Sequence, residues 1–358
     1  MPIFRVVILL NSLLHEKPNR HFKNSFRRMN RRRFLKYASG LLFASLPGFN
    51  LFYGCDGKQQ TAEAFIGKVA GYDENIAAVI SAGFRELNVT ENEIRGKRVL
   101  LKPNLVEPHR GMGHITTHPL LLRGAIEAFM GFGAHEVLVA EGPGHCRDSF
   151  RVLEESGLTD ILREDRIRFM DLNYQSWFTV PNAGHATRLK SLTFPTILKE
   201  VDWIVSVPKM KTHHWAGVTL SMKNLFGVMP GMFYGWPKNV FHAAGIESAI
   251  LDINATLKPH FAIVDGIVGM EGDGPIMGTP KTAGVLVMGK NLPAVDATSC
   301  RIMGINPRKV RYLADATGLG PIQEPIILQR GETIKSVHTS FSLLDKIEAH
   351  RRLMVESS

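Results

Sequence analysis

"RVLLKPNLVEPHRGMGHITTHPLLLRGAIEAFMGFGAHEVLVAEGPG", residues 98–144, decides the fold. Its opening nine residues form a short apolar run behind the turn signal Arg95-Gly96-Lys97. Residues 118–133 place apolar side chains at helical spacing and end on glycine. Residues 135–144 are a second apolar run, closed by the turn Gly142-Pro143-Gly144. The pattern predicts strand, loop, helix and strand, the unit that joins parallel neighbours in a sheet.

The same alternation extends in both directions. The spacing predicts a helix over 148–164, strands over 166–173 and 202–211, and a helix over 239–257. Strands over 261–270 and 282–289 and a helix over 294–304 complete the series. Apolar strands alternating with amphipathic helices imply an α/β fold with a mixed, mostly parallel sheet and helices on both faces. The stretch near 175–195 is polar and irregular, and reads as a separator between two lobes with a crevice between them.

The chain has 358 residues and a net charge of +10. Ten of its 43 Lys and Arg, but one of its 33 Asp and Glu, lie in residues 1–36. The remainder is within one charge of neutral, which argues against a nucleic-acid partner. Residues 30–36, "NRRRFLK", resemble the twin-arginine export signal, with Arg31 and Arg32 as the pair and a short apolar run behind them. The alternative is a basic amphipathic surface helix. The export reading makes residues 29–55 a signal and the twin-arginine translocon a transient partner. Residues 1–28, ahead of Met29, read as an upstream extension. The run ends in "LFYGC", so Cys55 is a candidate for lipidation, with cleavage nearby or an uncleaved anchor as the alternatives. The expected location is the periplasm, or the outer face of the cytoplasmic membrane with contact only through the signal or a lipid. The three cysteines, Cys55, Cys146 and Cys300, show no C-x-x-C spacing, so no zinc ribbon or iron–sulfur cluster is expected.

In sheets of this kind ligands bind beyond the carboxyl ends of the strands. The residues there are ionisable in number. Lys102, Asn104, His114 and His118 follow the first strand, and Glu141 and His145 the second. Lys209, Lys211, His213, His214 and then Lys223 follow the strand ending near 207, with His242 downstream. Asp265, Glu271 and Asp273 follow the next strand, and Asp296 lies in the last helix. A lysine half buried near histidine shifts toward its neutral, nucleophilic form. Neutral imidazoles ligate metals or move protons near pH 7. Lys211 and Lys223 could equally clamp an anion without a metal. No G-x-S-x-G elbow, P-loop or dinucleotide fingerprint occurs.

The motifs "LLKPNLV", "TTHP", "VPKMKTH", "LSMKNLFGVMPG", "DGIVGMEGDGP" and "AVDA" resemble the domain of unknown function 362 family over residues 62–330, leaving 331–358 as a C-terminal tail. Some members of that family carry four-cysteine cluster modules, whose cysteines this chain lacks. A more distant resemblance is to the nickel-pincer lactate racemase family. It rests on "EGPGHCR" at 141–147, and on His214, Gly217, Lys223, Pro230-Gly231 and His242. Carried over, it implies Lys223 as the tether of a nicotinate-derived cofactor, His242 as a nickel ligand, and His145 and His214 as an acid/base pair. This sequence departs from that family in having Val218-Thr219-Leu220-Ser221-Met222 before the lysine and Lys102-Pro103-Asn104 near the first strand.

Together these readings give His145, His214 and Lys223 as catalytic candidates, and Lys223, Lys211, Lys102 and Asn104 as cofactor-binding candidates. His242 and His213 are the metal candidates, with a transition metal as the expected kind. The expected function is an enzyme, an oxidoreductase or isomerase, working on a small anionic substrate by proton or hydride chemistry. The alternative is a non-catalytic periplasmic binding or accessory protein for a cofactor or redox partner.

Overall fold

The computed structural model describes residues 61–144 and 148–354. The export pattern, Cys55, His145 and Cys146 lie outside the described residues. Within them the chain forms a ten-stranded sheet and a separate two-stranded hairpin. The strands are β1 (Ala62–Lys68), β2 (Arg98–Pro103), β3 (Glu136–Glu141), β4 (Phe169–Asp171), β5 (Trp177–Pro181) and β6 (Ser191–Pro195). They continue with β7 (Trp203–Val207), β8 (Lys209–His213), β9 (Gly217–Thr219), β10 (Phe261–Glu271), β11 (Thr279–Gly289) and β12 (Ile327–Gly331).

The main path of the large sheet runs β12-β1-β11-β10-β7-β2-β3-β4, with β8 and β9 attached beside β10. Strands β10, β7, β2, β3 and β4 are mutually parallel, and β11 is antiparallel to both of its neighbours. The expected mixed, mostly parallel sheet is therefore present. Its two faces feed two cores, because side chains alternate along a strand. Val99 and Leu101 of β2 pack with Phe84, Leu122 and Phe129 on one face, while Leu100 packs with Ile250 and Val295 on the other. Strands β3, β7, β10 and β11 alternate in the same way. Burial on both faces is why they read as continuous apolar runs rather than alternating ones.

The predicted elements exist, but three of them are divided. The strand expected over 202–211 becomes β7 and β8, because Pro208 has no N–H for the ladder. Its carbonyl accepts the Asp265 N–H, and β8 resumes pairing farther along β10, Lys209 opposite Asp265. The helix expected over 148–164 breaks at Gly157 and the one over 239–257 at Gly245. Both glycines sit at positive φ, 77° and 99°.

The stretch read as a lobe separator is instead the hairpin β5–β6. Its inner residues Leu192 and Phe194 join the main core. Asp252, buried on helix Ile246–Leu257, accepts hydrogen bonds from Asn182 Nδ2, from the Ala186 and Thr187 amides and from the Thr187 hydroxyl. The described residues fall in one compact unit, so the two-lobe expectation is corrected. The segment looked irregular because its polar side chains bind one buried carboxylate that is distant in sequence. Beyond residue 331, Val337, Phe341 and Leu353 also pack into this core.

Candidate functional site

Strands β3 and β4 are added on one side of β2, and β7 and β10 on the other. The connections therefore diverge at the carboxyl end of β2, the place where such sheets open a crevice. A cavity of about 330 Å3 lies there. Its lining comes from the loops after β2, β3 and β8, from β9, and from the short helix Ser221–Asn224 and the turn after it. A larger, shallower depression follows the helices at 149–164, where exposed charges already pair, Arg110 with Glu154 and Arg151 with Glu155.

The floor of the cavity is held by one ion pair. Lys102 Nζ donates to Glu141 Oε2 at 2.7 Å, to Asn224 Oδ1 at 2.9 Å and to the Pro103 carbonyl at 2.7 Å. Glu141 also accepts the amides of Leu105 and Gly142. The pair is about 1–3% exposed, so it depends on this complete set of partners. Gly227 packs directly against it: a Cβ there would lie 2.3 Å from Glu141 Oε1 and 2.7 Å from Lys102 Nζ.

Asn224 fixes the next group. Its Nδ2 donates to the Lys102 carbonyl at 2.9 Å, so its Oδ1 is the atom that faces the Lys102 ammonium. Asn104 Nδ2 must then be the donor to that Oδ1, at 3.3 Å. This leaves Asn104 Oδ1 buried with no hydrogen-bond partner among the described residues, and the Thr219 hydroxyl is in the same condition. Both residues line the cavity.

Lys223 is carried by helix Ser221–Asn224, whose amino end is anchored by Asp296 of helix Leu292–Ile302. Asp296 accepts the Ser221 and Met222 amides at 2.7 and 3.0 Å and the Ser221 hydroxyl at 2.5 Å. Burial pushes the Asp296 carboxyl up to about 7, against the pull of these donors. Lys223 itself makes no hydrogen bond or ion pair among the described residues. Its ammonium lies 4.8 Å from the Phe226 ring centroid. Desolvation and then the Lys102 charge lower it to about 8, with Glu141 opposing. Lys238, at a left-handed φ of 69°, points Nζ to Asn173 Oδ1 at 2.5 Å and to the Met229 carbonyl. Burial lowers it to about 7. Lys211 is fully buried and, among the described residues, donates to the Ile115 and Pro275 carbonyls. Desolvation, then Lys209 and Lys223, hold it well below the ordinary lysine value.

The histidines divide into two kinds. His213 Nδ1 accepts the amides of Trp215 and Ala216, so any proton of the neutral ring is on Nε2, which is then a donor. His214 Nδ1 faces the Gly274 carbonyl at 2.9 Å, and His242 Nδ1 faces the Lys238 carbonyl at 3.2 Å. A carbonyl only accepts, so both rings carry their proton on Nδ1 and leave the Nε2 lone pair free. Desolvation is the largest influence holding both below the usual histidine range. The two rings flank Trp215, with centroids 4.5 and 5.1 Å from it.

Free Nε2 atoms with Nδ1–H on carbonyls also suit metal ligation. His214 and His242 meet that requirement, whereas His213 offers no lone pair at Nε2. Among the described residues, no three His, Cys, Asp or Glu converge as a metal site.

The structure thus brings Lys102, Asn104, His213, His214, Lys223 and His242 to one cavity and leaves Lys211 behind its wall. Lys209 belongs elsewhere. Its ammonium bonds Asp265 Oδ2 at 2.6 Å, the Tyr72 hydroxyl at 2.9 Å and the Val268 carbonyl at 3.1 Å. The acidic-loop residues Glu271 and Asp273 pair with Lys281 and Lys346. Sequence reading did not single out Lys238 as a cavity residue. Its one local signal is its place after Trp236-Pro237, and its burial depends on Asn173, far away in the chain.

A thylakoid-associated protein of Synechocystis sp. is 26% identical over 234 residues, covering 63% of this chain and 68% of that protein. Among solved structures, the lactate racemase apoprotein from Thermoanaerobacterium thermosaccharolyticum aligns with a TM-score of 0.41 and 13% identity, over 69% of this chain and 58% of its own. A structural-genomics protein from Thermotoga maritima aligns at 0.35 and 12%, over 68% of this chain and 58% of its own. The chain spans less than two thirds of the length of either solved structure. Residues 99–301 match the family model described as Domain of unknown function (DUF362), and the chain belongs to that family.

Proposed function

We propose that this protein is an enzyme that binds a small anionic molecule in the cavity and moves a proton on it. One observation carries the reading: Lys223 brings a partly buried ammonium to a partly apolar cavity whose only carboxylate among the described residues, Glu141, is already taken by Lys102. A buried charge without a counter-ion is costly, and an anionic ligand relieves that cost. The anion would sit at Lys223. His214 or His242 would accept a proton through its free Nε2, and the resulting imidazolium would stay bound to its backbone carbonyl. Imidazoles held neutral near pH 7 suit that base role. No step is routed through a metal. Export by the twin-arginine route is proposed separately, on residues 30–36 alone.

The test uses calorimetric titration with small carboxylates, followed by proton NMR of the bound compounds in D2O. The reading expects binding, a loss of roughly ten- to hundredfold in Lys223→Ala, and deuterium exchange that stops in His214→Gln or His242→Gln. Binding without exchange would favour a binding protein. Absence of binding, or binding indifferent to Lys223→Ala, would overturn the anion site itself.

A further inference from the structure

We infer that the cavity takes a carboxylate whose remainder is apolar, an acyl chain or an aromatic ring, in preference to one that bears hydroxyl groups. The inference rests on the anion site proposed above and names the body of its ligand.

The lining divides by chemistry. Among the described residues, its polar side chains that keep appreciable exposure are Lys223, His214 and His242. Lys102, Glu141 and Asn224 bond one another in the floor, and Lys238 is bonded to Asn173 and the Met229 carbonyl. The Asn104 and Thr219 side-chain oxygens are sealed within the wall. The rest of the accessible lining is mostly apolar. Val106 follows β2, Trp215 sits in the turn between β8 and β9, Pro237 precedes helix Asn239–Ala244, and Pro275 and Ile276 follow β10. All of these keep exposed surface, Trp215 the most at 52%.

This apolar wall is held in place before any ligand arrives. The Gly274 carbonyl accepts the His214 amide at 3.0 Å and faces its Nδ1 at 2.9 Å, which fixes the loop that carries Pro275 and Ile276. Lys211, behind the wall, donates to the Pro275 and Ile115 carbonyls and so ties that loop to the one after β2. The Trp215 amide donates to His213 Nδ1 at 3.0 Å, and its indole stands at 90° and 74° to the His214 and His242 rings.

A volume of about 330 Å3 lies at the lower end of the range for pockets that enclose whole small molecules. An acetate-sized anion at Lys223 leaves the apolar wall wet. A longer apolar body covers it, and each methylene removed from water then strengthens binding. Hydroxyl groups on that body lose their water and meet no partner on Val106, Pro237, Pro275 or Ile276, which weakens binding.

Calorimetric titration of the native protein with acetate, butanoate, hexanoate, gluconate and hexanamide separates the possibilities. Hexanoate and gluconate share chain length and charge and differ in hydroxyl groups, and hexanamide lacks the charge. Affinity is expected to rise along the acid series by roughly two- to fourfold per methylene. Hexanoate should bind at least about tenfold tighter than gluconate, and hexanamide more weakly than hexanoate. Ile276→Asn should shrink the ratio of hexanoate to acetate affinity. Hexanoate should also shift tryptophan emission to shorter wavelength, a shift lost in Trp215→Phe. Equal binding along the acid series, or gluconate matching hexanoate, would overturn the inference and leave the anion site standing. A rising series with an unchanged ratio in Ile276→Asn and no emission shift would overturn the assignment to this wall. Hexanamide binding as tightly as hexanoate, or no acid binding at all, would overturn the anion site and the inference with it. The acid series needs no variant, so a poorly folding Ile276→Asn does not block the test.

Discussion

Two lysines of one segment, Lys209 and Lys223, meet opposite environments. Lys209 lies where every neighbour answers it. Its three donors reach Asp265, Tyr72 and a backbone carbonyl, Tyr72 donates to Asp265 Oδ1 at 2.8 Å, and the His118 amide donates to Oδ2 at 3.0 Å. The ring of Tyr72 stacks on His118 at 3.6 Å, and that imidazole, lowered to about 4 mainly by burial, accepts the Leu120 amide as the cap of helix Pro119–Gly131. Lys223 has a ring face and no anion in contact among the described residues. The first arrangement is a closed joint between β8, β10 and the loop before a helix. The second is open at the point where a ligand would complete it. Lys209 is fully buried and Lys223 only partly so, and the count of satisfied partners is the further difference between scaffold and site.

The largest effect should come from breaking the closed joint. Lys209→Met leaves Asp265 buried without its cation and should cost roughly 3–5 kcal/mol, read as a fall in the midpoint of chemical denaturation. Lys223→Met should do the reverse, changing stability by no more than about 1 kcal/mol or raising it, because no partner is left unpaired. Equal losses in the two variants would abolish the distinction between joint and site.

A smaller loss, roughly 1–3 kcal/mol, is expected for Gly227→Ala, since a methyl group there overlaps the Lys102–Glu141 pair. Calorimetry should show weakened anion binding along with it, whereas an unchanged melting profile would mean the floor of the cavity yields easily.

The gentlest probe is pH. Lys223 falls from the ordinary 10.5 to about 8. Its ammonium is present below that value, so anion affinity should be level at lower pH and decline about tenfold per unit above it. For the unliganded protein the sign is opposite. Between about 8 and 10.5 the unfolded chain binds more protons at this group, so its contribution to stability rises with pH across that window. Loss of the affinity step in Lys223→Met would confirm which group titrates, and a step that persists would assign it to Lys238 or another neighbour.

Much of this was legible in the residues. The apolar runs 98–106, 135–144 and 261–270 carry their own strand signal, and β2, β3 and β10 form there. The gathering of Lys102, Asn104, His214 and Lys223 at strand ends follows from where loops must lie in such a sheet. The hairpin β5–β6 was not legible, because its turn is held by Asp252 from a distant helix. Lys209 and Lys211 looked alike, two residues apart on one strand, and only their partners distinguish them.

Hydrophobic period and turn chemistry are local properties, so the sequence alone determined the alternation of strands and helices, the two-faced sheet and the edge on which ionisable residues collect. Hydrogen-bond satisfaction is not local. Whether a lysine meets Asp265 or a cavity, and which side-chain atom of Asn104 is left unpaired among the described residues, depend on residues dozens to more than a hundred positions away. Those two outcomes separate the joint from the site, and the tertiary structure alone decided them.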